Sequence, residues 1–160
     1  MTSSKRSADT ALRNDRIHAL QALVVAIASA ATLTGCAAPP FSPGGSDLTC
    51  SSAQQCRVEV AVTCAQGVCR LVVDHPHVFA RGNDVVWTII NQSGQSYRFA
   101  DDAGIAFKTV EGRGVFRCHV EANGARIACM NRGTPGMFEY AVRVSGSPAV
   151  PPLDPWVVNH

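Results

Sequence analysis

The stretch RVEVAVTCAQGVCRLVVD, residues 57–74, constrains this chain's fold more than any other. Val58, Val60, Val62 and Cys64 alternate with polar or small residues. Leu71 and Val73 repeat the alternation on the return, giving the period of two expected of half-buried strands. A two-residue turn centred on Gln66-Gly67 pairs Ala65 with Val68, Cys64 with Cys69 and Val62 with Leu71. In such a hairpin the first flanking pair is hydrogen-bonded, so Cys64 and Cys69 fall on the next, non-hydrogen-bonded pair, where side chains lie closest. That geometry favours a cross-strand disulfide.

A second hairpin is written in GVFRCHVEANGARIACMN, where Asn123-Gly124 is a favoured dipeptide for a tight primed turn. Around it Glu121 opposes Arg126, Val120 opposes Ile127 and Cys118 opposes Cys129. A two-residue turn places Cys118 and Cys129 on a hydrogen-bonded pair, less comfortable for a disulfide unless a bulge or longer loop intervenes. DVVWTIIN, SYRFAD and AFKTVE are expected to be further short strands, and GMFEYAVRVSG a long alternating one with Tyr140, Val142 and Val144 on a common side. No segment after residue 36 offers a helical period of eight or more residues. About seven strands with Gly and Asn turns predict an all-β fold, an antiparallel β-sandwich.

The cysteines bear on where such a domain resides. Cys50, Cys56, Cys64, Cys69, Cys118 and Cys129 form an even set that suits an oxidising compartment. Six cysteines allow 15 pairings, and the local geometry above ranks 64 with 69 and 118 with 129 first. Cys50 and Cys56, separated by SSAQQ, would close a small loop where the domain begins.

The N-terminus points the same way. Met1 to Gln21 is polar, with Lys5, Arg6, Arg13 and Arg16, and ALVVAIASAATLTG (residues 22–35) then carries no charge. That run falls short of the roughly 20 apolar residues that span a bilayer as a helix, so the whole segment reads as an export signal. It ends in Leu33-Thr34-Gly35-Cys36, which resembles the lipobox of bacterial lipoproteins. The resemblance implies diacylglycerol on the Cys36 thiol, cleavage before Cys36 and acylation of the new amine. Several acyl chains anchor a protein far more firmly than one, because each buried methylene contributes roughly 0.8 kcal/mol. Ala37 rather than Asp after the Cys resembles the outer-membrane sorting pattern. The expected organisation is therefore a cleaved lipoprotein signal peptide at 1–35, a lipidated Cys with a Pro- and Gly-punctuated tether at 36–49, and a sandwich domain at 50–160. The expected location is the bacterial cell envelope, at the periplasmic face of the outer membrane.

Removal of the signal takes away four basic residues (Lys5, Arg6, Arg13, Arg16) and two acidic ones (Asp9, Asp15), leaving ten of each from the original 14 and 12. A near-neutral domain argues against nucleic acid as a partner, since that interaction uses clustered Lys and Arg. Membrane lipid through Cys36 and an envelope protein are the partners expected. The sequence holds no Ser, His and acid set in a recognisable context and no glycine loop for phosphate, so no enzymatic activity and no cofactor are expected.

A second resemblance rests on RGNDVVWTIINQSGQSYRF and CMNRGTPGMFEYAVRV. The first is similar to the Trp-containing strand and turn of cupredoxins, the second to their closing Cys, Met and final strand. The resemblance implies a cupredoxin-like Greek-key sandwich and a copper site of two His, one Cys and a long Met. Cys129 and Met137 have the spacing of eight that this implies, but Arg132 stands at the second His position. The first His position falls near Ser96 or Tyr97, and no His occurs from Val78 through Cys118. A guanidinium offers no lone pair to a metal, so the scaffold is expected without its copper.

Two other features stand out. DHPH supplies His75 and His77, an H-x-H pair on an extended segment and the only candidate metal ligands; they underlie an alternative function as a copper- or zinc-handling protein or a degenerate electron carrier. The tail PPLDPWVVN excludes helix through Pro151, Pro152 and Pro155. It is expected to form a final edge strand, with Trp156 closing one end of the core or serving as a docking edge. Its ending is similar to that of a group of bacterial envelope proteins with cupredoxin-like or immunoglobulin-like sandwiches. The function expected overall is a membrane-anchored, non-catalytic binding or structural module.

Overall fold

In the computed structural model the residues described are 45–51, 54–92 and 94–160. The signal, Cys36 and most of the tether therefore lie outside the described residues. Alternating strands dominate, as the period of two requires. They are β1 (Leu48–Thr49), β2 (Cys56–Ala65), β3 (Val68–Val73), β4 (His77–Ala80), β5 (Val85–Ile90), β6 (Arg98–Phe99), β7 (Ile105–Phe107), β8 (Phe116–Glu121), β9 (Arg126–Asn131), β10 (Gly136–Val142), β11 (Val144–Ser145) and β12 (Trp156–Asn159). Two five-stranded sheets, in the orders β1-β4-β12-β10-β7 and β3-β2-β5-β9-β8, face each other as an all-β sandwich, and β6 pairs with β11 beside them.

The core comes from the inward parity of each strand. Val58, Val60 and Val62 of β2, Val85 and Trp87 of β5 and Ile127 of β9 meet Phe138, Tyr140 and Val142 of β10 and Val78 and Val157 of the opposite sheet. Trp87 Nε1 donates to Tyr140 Oη at 3.1 Å, satisfying the indole inside an apolar core. Their rings meet edge to face at 5.2 Å. Burial pushes the Tyr140 phenol well above the usual tyrosine range.

Three expectations are corrected. The sandwich is mixed rather than purely antiparallel: β2 runs parallel to β5, and β4 parallel to both β1 and β12. The chain reaches this arrangement because β4 crosses to the other sheet before β5 returns beside β2. AFKTVE is a strand only through Phe107; a short helix α1, Val110–Val115, follows. Thr109 caps it, its Oγ1 accepting from Gly112 N at 3.0 Å. Finally, β12 is not an edge. It lies between β4 and β10, with Val157 fully buried and Trp156 half-buried on the outer face of its sheet, opposite His77 and Glu139. Strand parity puts Val157 inward, so Val157 rather than Trp156 fills the core.

Candidate functional site

The disulfides are Cys64–Cys69 and Cys118–Cys129, the two pairs ranked first from the sequence, and Cys50–Cys56, which closes the small loop expected where the domain begins. The 64–69 pair sits on the expected turn, with Gln66 and Gly67 both at positive φ, the two central positions of a type I′ turn. The second hairpin keeps its expected register but not its expected parity. Its turn is a longer 3-10 loop, with Ala122, Asn123 and Gly124 at positive φ and Ala125 N donating to Ala122 O at 3.1 Å. The extra length shifts the ladder by one step. Arg132 N bonds Val115 O at 3.1 Å, so Cys118 and Cys129 occupy a non-hydrogen-bonded pair with Cα atoms 3.9 Å apart. Each bridge secures a strand at the margin of its sheet: the first begins just after β1, the second holds β3 to β2, and the third holds β8 to β9.

The cupredoxin positions are not brought together. Cys129 is fully buried, bonded to Cys118, and opposes Val85 at the start of β5. Ser96 and Tyr97 follow the far end of that strand, whose six residues at about 3.3 Å each separate the two places by roughly 17–20 Å. Met137 points away from the core and is exposed, as is Arg132. The Cys-to-Met spacing therefore does not translate into a shared site. Tyr97 is buried and donates through its hydroxyl to Pro148 O at 2.8 Å.

His75 and His77 have structural partners. His75 Nδ1 lies 2.6 Å from Ser46 O and His77 Nδ1 2.7 Å from Asp47 Oδ1. A carbonyl and a carboxylate oxygen only accept, so both Nδ1 atoms carry the proton and donate. The two imidazoles thus clasp the segment that leads into β1. Asp74 completes this corner, its Oδ1 accepting from Glu59 N at 2.9 Å. Burial raises the Asp74 carboxyl above its ordinary value, while the Glu59 amide and His75 oppose that shift. Among the described residues no group of three or more His, Cys, Asp or Glu could hold a metal ion.

What the sequence reading missed is a buried amide cluster formed by Asn83, Asn131 and Asn159. Asn159 Oδ1 accepts from Gly82 N at 3.1 Å and from Asn131 Nδ2 at 3.0 Å, while its Nδ2 donates to Thr134 O at 2.6 Å and to Asn131 Oδ1 at 3.2 Å. Asn83 Nδ2 donates to Ser51 O at 2.7 Å and to Gln54 O at 2.8 Å. Arg81 N and Gly133 N donate to Asn83 Oδ1 and Asn131 Oδ1. These satisfied amides lock the ends of β9 and β12 against the loops at 81–84 and 132–135. The available signal was an Asn closing each of two apolar strands, CMN and VVN.

No family model matches the chain, and no curated protein is significantly similar to it.

Proposed function

We propose that this chain is an exported lipoprotein, anchored through acylated Cys36, whose β-sandwich serves the bacterial cell envelope as a non-catalytic binding or structural module. The observation that carries this is the basic start, uncharged run and terminal Leu33-Thr34-Gly35-Cys36. The three disulfides support it, because they persist in an oxidising compartment. The cupredoxin resemblance enters as a scaffold only, since the positions it would use for copper lie apart. Intact-mass analysis of the native protein, with thiol alkylation before reduction, tests the proposal. A mature chain starting at an acylated Cys36 with no alkylatable thiol is expected. An unmodified Cys36 refutes the anchoring, and an alkylated Cys129 refutes the disulfide framework.

The copper- or zinc-handling alternative rests on His75 and His77. Both Nδ1 atoms are engaged, so a metal would have to use Nε2, and at His75 that atom lies 3.5 Å from Asp74 Oδ2. Metal analysis of the purified protein decides it: stoichiometric copper or zinc that disappears in the His75→Ala, His77→Ala double variant would displace the structural reading.

A further inference from the structure

Strand β8 ends its sheet, bonded on one side to β9 and, among the described residues, to no strand on the other. A six-residue open edge is a template for another strand, which soluble proteins usually cover or disrupt. Here Arg117, Cys118, His119 and Val120 are all exposed along it. Beneath the edge lie two clefts of 280 and 180 Å³, both lined by Ile105 and Cys118, and Val120 stands beside the second, 42% exposed.

The parity of the ladder determines which groups face outward. Because Cys118 and Cys129 form a non-hydrogen-bonded pair, the N–H and C=O of Cys118 and Val120 point away from β9 to the free edge, whereas those of Arg117, His119 and Glu121 are used within the sheet. An antiparallel strand must therefore place its own outward-pointing residues opposite Cys118 and Val120. A second copy of β8 does this when the two strands cross at His119. Cys118 then opposes Val120 of the second copy, both with outward N–H and C=O groups. In that same register Arg117 opposes Glu121 of the second copy, twice by symmetry.

The charges fit this register. Among the described residues Arg117 makes no ion pair within its own chain. Glu121 accepts from His119 Nε2 at 2.8 Å and lies 3.2 Å from Arg126 Nε, which leaves lone pairs of its carboxylate free for a further donor. We infer that β8 is a self-association edge: two copies pair their β8 strands antiparallel about His119, joining two five-stranded sheets into one of ten. The interface is isologous, as a two-fold dimer requires. One strand pair buries less than the roughly 1,200 Å² typical of stable complexes, so the dimer is a weak one.

The test is sedimentation velocity of the full chain in detergent, over about a hundredfold range of concentration, a span wide enough to resolve a weak dimer. The wild-type mass is expected to rise towards that of a dimer. R117E puts Glu against Glu121 of the second copy at both ends of the pairing. V120P removes an outward N–H that no described residue of the monomer uses, a position where an edge strand accepts proline. Each should weaken dimerisation by at least about tenfold, because like charges directly opposite are destabilising and a lost ladder bond removes pairing. R70E, on the other free edge at β3, should leave it unchanged, and tryptophan fluorescence should show all three variants folded. A wild-type chain that stays monomeric throughout, or dimers that persist in both R117E and V120P, would overturn the inference.

Discussion

Replacing Asn159 by Ala tests whether the buried amide cluster holds β12 in the middle of its sheet. The side chain makes four hydrogen bonds, two with Asn131 and one each with Gly82 N and Thr134 O. Each intramolecular bond contributes about 0.5–1.5 kcal/mol net. Gly82 and Thr134 are exposed and can recover water, whereas the pair with Asn131 is buried, so the expected loss is about 2–4 kcal/mol. For a domain of about 110 residues that lowers the melting temperature by roughly 8–16 °C. Urea denaturation of the oxidised protein, followed by tryptophan fluorescence, should show an earlier midpoint with an unchanged slope. Asn159→Asp is a sharper version. Its new oxygen faces Asn131 Oδ1 and Thr134 O, so the folded state favours the protonated acid, which can donate. A carboxyl raised in the folded state adds stability below its unfolded value and loses it as pH rises through the folded value. N159D should therefore be less stable than N159A at pH about 8 and recover as pH falls. An N159A cost below about 0.5 kcal/mol, the range of a neutral surface change, would refute the assignment, as would a pH-independent N159D.

Other consequences can be checked separately. Truncation after Ser147 removes the strand between β4 and β10, so cooperative unfolding should disappear from urea and thermal melts; a sharp transition would show that β12 is dispensable. Asp74→Asn keeps an acceptor for Glu59 N but removes the charge that burial disfavours. It should match or exceed the wild type at neutral pH and lose that advantage as pH falls through the raised folded value towards 3.8, with no further change below it, read from urea midpoints across pH. Gly146→Ala would drive a methyl group into the buried Tyr97 ring, whose Cδ1 and Cε1 would overlap the added carbon. Overpacking of this kind costs about 1–3 kcal/mol, measurable by thermal melting.

Local features were legible wherever the chain's neighbours in sequence are also its neighbours in space. The Cys64–Cys69 hairpin could be read down to its turn because Gln66-Gly67 and the alternation on both sides belong to one continuous stretch. The Cys118–Cys129 hairpin was legible in register but not in parity. A register needs only opposing residues, while parity depends on the backbone path through Ala122, Asn123 and Gly124. The tail shows the limit more clearly. The prolines, which exclude helix, and the apolar Trp156, Val157 and Val158 pointed to a strand in WVVN, but nothing local says that β4 leaves a place beside β10 for it.

The candidate site divides in the same way. A ligand set spread over distant segments requires their strand ends to coincide, and the spacing between Cys129 and Met137 carries no such information. The structure puts Cys129 at one end of β5 and Tyr97 beyond the other. His75 and His77 were legible as a pair, but their use became visible only when Ser46 and Asp47 came to lie beside them.

By itself, then, the sequence determined most of the strands, the register of the two hairpins and the disulfide partners within them. Each is encoded by side-chain alternation, turn chemistry or charge over a few adjacent residues. The tertiary structure alone decided the parallel neighbours, the central place of β12, the Asn83, Asn131 and Asn159 cluster and the open edge of β8. Those depend on contacts between segments tens of residues apart, where the satisfaction of buried polar groups and the stacking of two apolar faces select one arrangement.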